Sequence, residues 1–134
     1  MIFIDTGYLI AILRPTDELH RRALAWSTSI TEKCILTEQV LWETVNQLSS
    51  PSERGLAHQM LAAITADDSC EIIHASPELF EAGVQLHLQR PDKAWSLTDC
   101  ISFHVMQQRG ISRALAFDRH FEQAGFEPLL RRDP

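Results

Sequence analysis

The sequence predicts an α/β fold in which a mostly parallel central sheet of four to five strands is covered by helices on both faces. Three observations predict it. Short apolar runs at residues 1–4, 34–37, 70–74 and 113–117 have the length and composition of strands. Each is flanked by helical patterns, as buried parallel strands are. Strands that alternate with helices or helix pairs leave little choice but a parallel sheet with right-handed crossovers.

The elements follow in order. Residues 1–4 form the first strand and end at Asp5; residues 7–13 start a helix that Pro15 stops. Thr16 or Asp17 suits the cap of a second helix over 18–29. After the strand at 34–37, a helix over 38–48 carries Leu41, Val45 and Leu48 on one stripe, and Ser49-Ser50-Pro51-Ser52 breaks it. A helix over 53–66 precedes the third strand. Ser76-Pro77 starts another that runs to about Gln89, serine as cap and proline in the first turn. Residues 90–97 read as a loop. Thr98 is placed to cap a helix running to Arg109, which Gly110 ends. The fourth strand, 113–117, leads to Asp118 and a short helix over 119–124. Residues 127–130 suit a fifth strand, at the edge because of Pro128. With no repeat, low-complexity tract or linker, residues 1–134 form a single domain.

Composition narrows the class. Apolar residues make up 45 % of the 134 and charged residues 22 %, so a sizeable core is available and disorder is excluded. The net charge of −6 opposes general attraction to nucleic acid, unless the acids are gathered at a metal site that inverts the local field. Arg21-Arg22 and Arg131-Arg132 are the local basic pairs. Cys34, Cys70 and Cys100 form no C-x-x-C motif and read as buried free thiols in a reducing cytoplasm. Asp5 interrupts the apolar start, so no signal peptide is expected, and no run reaches membrane-spanning length.

Function is carried by four acids. In an open parallel sheet, ligands bind beyond the carboxyl ends of the strands. Asp5 and Asp118 close two strands, and Asp99 opens the helix that feeds the strand before Asp118. All three therefore gather at one sheet edge. Glu43 lies roughly opposite the Leu41–Val45–Leu48 stripe and faces solvent or the same cleft. Taken singly, each has an ordinary use: Asp5 and Asp118 as helix caps, Asp99 as a first-turn acid, Glu43 as a surface residue. Taken together, like charges at one edge repel unless a cation lies between them. Carboxylates suit magnesium or manganese better than zinc.

These residues resemble the PIN-domain family. The motifs are Ile2-Phe3-Ile4-Asp5-Thr6-Gly7, a helical glutamate in Val40-Leu41-Trp42-Glu43-Thr44-Val45-Asn46-Gln47-Leu48, Ser96-Leu97-Thr98-Asp99-Cys100, and Phe117-Asp118-Arg119-His120-Phe121 with Gly125-Phe126 beyond. The likeness spans nearly the whole chain, and the order and spacing of the blocks are more specific than any one of them. Gly7 stands where many relatives have serine or asparagine, and Ala116 where many have threonine; both departures remove a polar group near the site.

The resemblance implies a three-layer PIN-like fold and a ribonuclease of the VapC toxin type, hydrolysing RNA with Mg2+ or Mn2+. Asp5 and Asp99 would be the central ligands, Glu43 would support the attacking water or a second ion, and Asp118 would complete the site, directly or through water. Thr6, Ser96 and Thr98 would orient the carboxylates. Arg119 and Trp95 would contact RNA, by phosphate pairing and base stacking. A cognate antitoxin and a homodimer are the implied partners. Ile101 and Val105 on one side of the 98–109 helix, and Phe103 and Met106 on another, add to the dimer expectation. His74 and His104 lie in apolar stretches and read as satisfied interior or interface residues; His120 reads as structural.

The alternatives have discriminating features. A haloacid-dehalogenase phosphatase needs a second aspartate where Gly7 stands. A phosphoacceptor receiver domain needs a late lysine, and none follows Lys93. A housekeeping RNA-processing nuclease shares the same site, and a non-catalytic PIN-fold binding module would not need all four acids.

Overall fold

The computed structural model describes residues 1–134. Five strands, β1 (Ile2–Ile4), β2 (Cys34–Thr37), β3 (Cys70–Ile73), β4 (Arg113–Leu115) and β5 (Glu127–Pro128), form one sheet in the order β3-β2-β1-β4-β5. Every pairing is parallel. The chain winds outward from β1 through β2 to β3, then returns to β4 on the other side of β1. The reversal of direction lies between β1 and β4, the place where parallel sheets open a crevice at their carboxyl ends.

The helices fall into two groups. The first is α1 (Thr6–Leu13), α2 (His20–Ser29), α3 (Glu38–Gln47) and α4 (Arg54–Ala66), where α1 packs on both α2 and α3, and α3 packs on α4. The second is α5 (Pro77–Gln89), α6 (Leu97–Arg109) and α7 (Arg119–Gln123), where α6 packs on both α5 and α7. Right-handed crossovers that run in opposite directions from β1 place these groups on opposite faces. Ile2, Phe3, Ile35, Leu36, Ala114 and Leu115 are almost wholly buried between them.

Local chemistry sets the boundaries, and a few differ from expectation. Ser96, not Thr98, caps α6: its hydroxyl accepts from Asp99 N–H while the Asp99 carboxylate accepts from Ser96 N–H, a reciprocal capping box. Asp17 accepts from Leu19 N–H at 2.9 Å and delays α2 to His20. Gly110 ends α6 with φ of 64°. β4 stops at Leu115, and Ala116 and Phe117 lead to Asp118 without strand pairing. Only Glu127 and Pro128 pair at the edge; Leu129–Arg131 turns into a 3-10 helix that buries Leu129 and Leu130.

The apolar character of α6 has an internal cause. It lies against β2 on one side and α5 on another. Gly83 of α5 permits the approach: a Cβ there would stand 2.5 Å from Ile101 Cγ1. The Ile101–Phe103–Val105–Met106 surface is thus used within the chain and gives no support to a dimer. Exposed apolar residues lie elsewhere, at Trp42 on α3 and at Phe80, Val84 and Leu88 on α5.

Two other expectations are corrected. His74 is exposed, its Nδ1 2.8 Å from Glu38 Oε1, because it follows β3 at the edge of the sheet. Of the cysteines only Cys100 is buried; Cys34 and Cys70 are half-buried, opposite one another on β2 and β3. Burial pushes all three thiols up, which leaves them poorly reactive.

Candidate active site

A cleft of about 950 Å³ opens at the carboxyl edge of the sheet, over the β1–β4 reversal. Asp5, Glu43, Asp99 and Asp118 all line it, with Thr6, Ser96, Arg119 and His120. Four different segments supply the acids: the end of β1, the middle of α3, the first turn of α6, and the residue before α7.

Asp5 sits deepest. Its N–H donates to Leu115 O at 3.1 Å and fixes it at the end of the β1–β4 ladder. It occupies the N-cap position of α1, yet its side chain makes no cap hydrogen bond. The carboxyl, half-buried by area but enclosed at the cleft floor, is pushed up to about 7. Burial is the main cause, followed by the Asp99 charge; Glu43 and Asp118 add to it, and hydrogen bonding from the adjacent Thr6 N–H opposes it.

Asp99 is the most constrained. Its Oδ2 accepts from Ser96 N–H at 3.0 Å and from His120 Nδ1 at 2.9 Å. A carboxylate can only accept here, so Nδ1 carries the proton. His120 Nδ1 also lies 3.4 Å from Asp118 Oδ1, and that same oxygen accepts from His120 N–H at 3.0 Å. His120 therefore ties the acids of α6 and α7 together. Sequence reasoning gave His120 a structural part and did not join it to these acids; its place two residues after Asp118 was the available signal.

The other expected site residues divide. Ser96 orients Asp99, though through its N–H rather than its hydroxyl. Thr6 Oγ1 is buried and has no hydrogen-bond partner. Thr98 lines a neighbouring groove rather than the cleft. Arg119 is exposed at the cleft wall. Trp95 is only 5 % exposed: its Nε1–H donates to Gln123 Oε1 at 3.0 Å and its ring meets Phe103 edge-on. It is a core residue, which removes it as a base-stacking surface.

The residues fit a hard divalent cation. The donor set is all carboxylate oxygen, the deepest carboxyl is raised by burial and then by its like-charged neighbours, and a buried hydroxyl at Thr6 lacks a partner. No three His, Cys, Asp or Glu side chains already meet around one point. Like charges repel, and an oxygen each of Asp99 and Asp118 is held by protein donors.

A model of the PIN domain matches residues 2–127, including all four acids. The chain belongs to the PIN-domain family. It is 30 % identical over 129 residues to the 23S rRNA-specific endonuclease VapC20 of two strains of Mycobacterium tuberculosis, covering 94 % of this chain and 95 % of that protein. The crystal structure of M. tuberculosis VapC20, described as a Sarcin-Ricin loop cleaving toxin, matches with a TM-score of 0.87 at 28 % identity. That match covers 96 % of this chain and 98 % of the other. The PIN fold of this chain is thus established by sequence and by structure. No helix is long and apolar enough to cross a membrane.

Within that PIN framework, Gly7 lies at the cleft, and a Cβ there would meet only Asp5 Oδ2, at 4.0 Å. The position has room for a small polar side chain.

Proposed function

We propose that the chain is a metal-dependent ribonuclease, the toxin of a VapBC-type pair, acting in the cytoplasm. The observation that carries this is the gathering of Asp5, Glu43, Asp99 and Asp118 in one cleft at the β1–β4 reversal of a PIN domain. The similarity to VapC20 supports ribosomal RNA, and the Sarcin-Ricin loop of 23S rRNA in particular, as the first substrate to test.

Asp5, Asp99, Glu43 and Asp118 would hold Mg2+ or Mn2+. Such a cation, when bound, lowers the pKa of water and neutralises charge on phosphoryl oxygens. The chain's own contribution is orientation. Two donors fix Asp99 Oδ2, so Oδ1 keeps its acceptor capacity for the cleft. His120 holds Asp99 and Asp118 in a fixed relation. Glu43, half-buried in the same cleft, would support the attacking water or a second ion. Arg119 supplies a cation for a substrate phosphate.

A cognate antitoxin and a homodimer belong to the same reading. The proposed dimer face is the Phe80–Val84–Leu88 stripe of α5 with Trp42, which is 54 % exposed. A non-catalytic binding role is disfavoured by retention of all four acids and the raised Asp5. The test is cleavage of total cellular RNA with Mg2+ or Mn2+, with chelator, and by Asp99→Asn. Discrete products lost with chelator and with the variant support the reading; no cleavage of 23S rRNA or any other RNA by the wild-type protein overturns it.

A further inference from the structure

We propose that Phe117 and Arg131 form a preorganised stacking platform for an unpaired base of single-stranded RNA next to the scissile phosphate. The proposal rests on the ribonuclease reading above and assigns where that substrate lies.

Phe117 is 39 % exposed although it directly precedes Asp118. Phe117 lines both the acidic cleft and a second depression, where Glu18, Leu19, Arg21, Arg22 and Asp133 stand beside it. The Arg131 guanidinium lies 4.5 Å from the ring centroid, and its Nη1–H donates to Phe117 O at 3.0 Å. That stack is anchored from below. Leu129 and Leu130, just before Arg131, are fully buried, and Leu130 N–H donates to Ala116 O at 3.0 Å. A flat aromatic and a flat guanidinium, both held in place, offer stacking surface at little entropic cost.

The charge distribution points to a polyanion. Ion pairs occupy Arg14, Arg22, Arg90, Arg109, Arg113 and Arg132. The arginines outside those pairs are Arg21, Arg54, Arg119 and Arg131. All but Arg54 line the two depressions that meet at Phe117. In a chain of net charge −6, three of the four unpaired arginines therefore lie around one exposed aromatic ring beside the acidic site, while Arg54 and the unpaired Lys33 line neither depression. Phosphates on either side of a stacked base would find these guanidiniums, while the base itself meets the ring. Trp95, the expected stacking residue, is unavailable, whereas Phe117 is open.

The experiment is steady-state cleavage of a synthetic stem–loop RNA that the wild-type protein cuts, compared with Phe117→Leu, Phe117→Tyr and Arg131→Gln. Loss of one stacking contact predicts a rise in KM of about 5- to 150-fold for Phe117→Leu, with the loss falling on KM rather than kcat. Tyr should restore it. Arg131→Gln should reduce the salt dependence of binding by about one phosphate contact, a slope change of about 0.7. An abasic nucleotide beside the cleaved bond should weaken wild type and have no further effect on Phe117→Leu. Should Phe117→Leu fail to fold, the abasic substrate still decides the matter on wild type. Unchanged KM for Phe117→Leu, or indifference of wild type to the abasic site, overturns the platform. Normal RNA cleavage by Phe117→Leu with loss of a protein partner would reassign the surface to that partner. Failure of wild type to cut any RNA would instead overturn the ribonuclease reading itself.

Discussion

Asp5 and Asp118 occupy equivalent places in the chain: each follows a buried strand and precedes a helix. Local reasoning gives both the same job, capping. Asp118 does it, accepting from His120 N–H at 3.0 Å, and it is exposed. Asp5 stands at the cap position of α1 and makes no cap bond. Its carboxyl instead sits among three other acids with its pKa raised to about 7. The difference separates a carboxylate that stabilises its helix from one held at a cost. A group kept in an unfavourable place by the fold is a candidate for function.

Removal of the Asp5 charge breaks the comparison most severely. Asp5→Asn should reduce RNA cleavage by ~10²-fold or more, since a ligand to a proposed cation supplies several kcal/mol of charge stabilisation. The same variant should be more stable than wild type near neutral pH. Native Asp5 holds its proton up to about pH 7, whereas the unfolded group, near its ordinary value of 3.8, has lost it. The native state binds more protons in that window, so stability falls as pH rises from about 4 to about 7 and is level above. The full shift corresponds to at most about 4 kcal/mol, and relaxation of the site will make it smaller. Thermal melts of both proteins at pH 5 and 8 without divalent ions check this. A wild type as stable at pH 8 as at pH 5, relative to Asp5→Asn, would contradict the strained carboxyl.

His120 sharpens the comparison on the Asp118 side. His120→Ala removes the donor to Asp99 Oδ2 and should weaken Mn2+ binding roughly 10- to 100-fold by calorimetry. His120→Asn, which keeps a donor on a shorter side chain, should recover part of the loss. A purely structural histidine would lower Tm and leave metal affinity alone.

Asp118→Ala should cost about 1 kcal/mol through the lost cap, and Asp118→Asn only a few tenths, because asparagine caps as well as aspartate does. Equal melting temperatures for the two would show that the cap bond contributes nothing.

The sheet and three of the acids were legible because strands, the aspartates Asp5 and Asp118 that follow two of them, and the helix start at Asp99 are local features. Glu43 was legible from helical periodicity as lying off the apolar stripe. What was hidden depends on partners far along the chain. Trp95 reads as an open loop residue, but Phe103 and Gln123 close over it. The apolar sides of α6 read as a dimer surface, but a glycine in another helix brings α5 down on Ile101. Phe117 and Arg131 are unremarkable apart; the 3-10 turn that unites them replaces an expected strand.

The smallest effect tests how Asp5 is tuned. Gly7, in the first turn of α1, leaves Asp5 Oδ2 as the only neighbour a Cβ would meet, at 4.0 Å. Serine fits without strain, since nothing approaches closer and φ is not in the left-handed region. Serine also suits a helix better than glycine, by about 0.5 kcal/mol. Its hydroxyl would reach toward Asp5 and donate to the ionised form, which lowers the pKa. Gly7→Ser should therefore shift the pH window of stability loss downward and raise Tm by roughly 2 °C or more at neutral pH. If the melting temperature rises equally at pH 5 and pH 8, the gain is helix propensity alone and the hydroxyl does not reach the carboxylate. A rise confined to the higher pH would show that one missing polar group helps to keep Asp5 protonated.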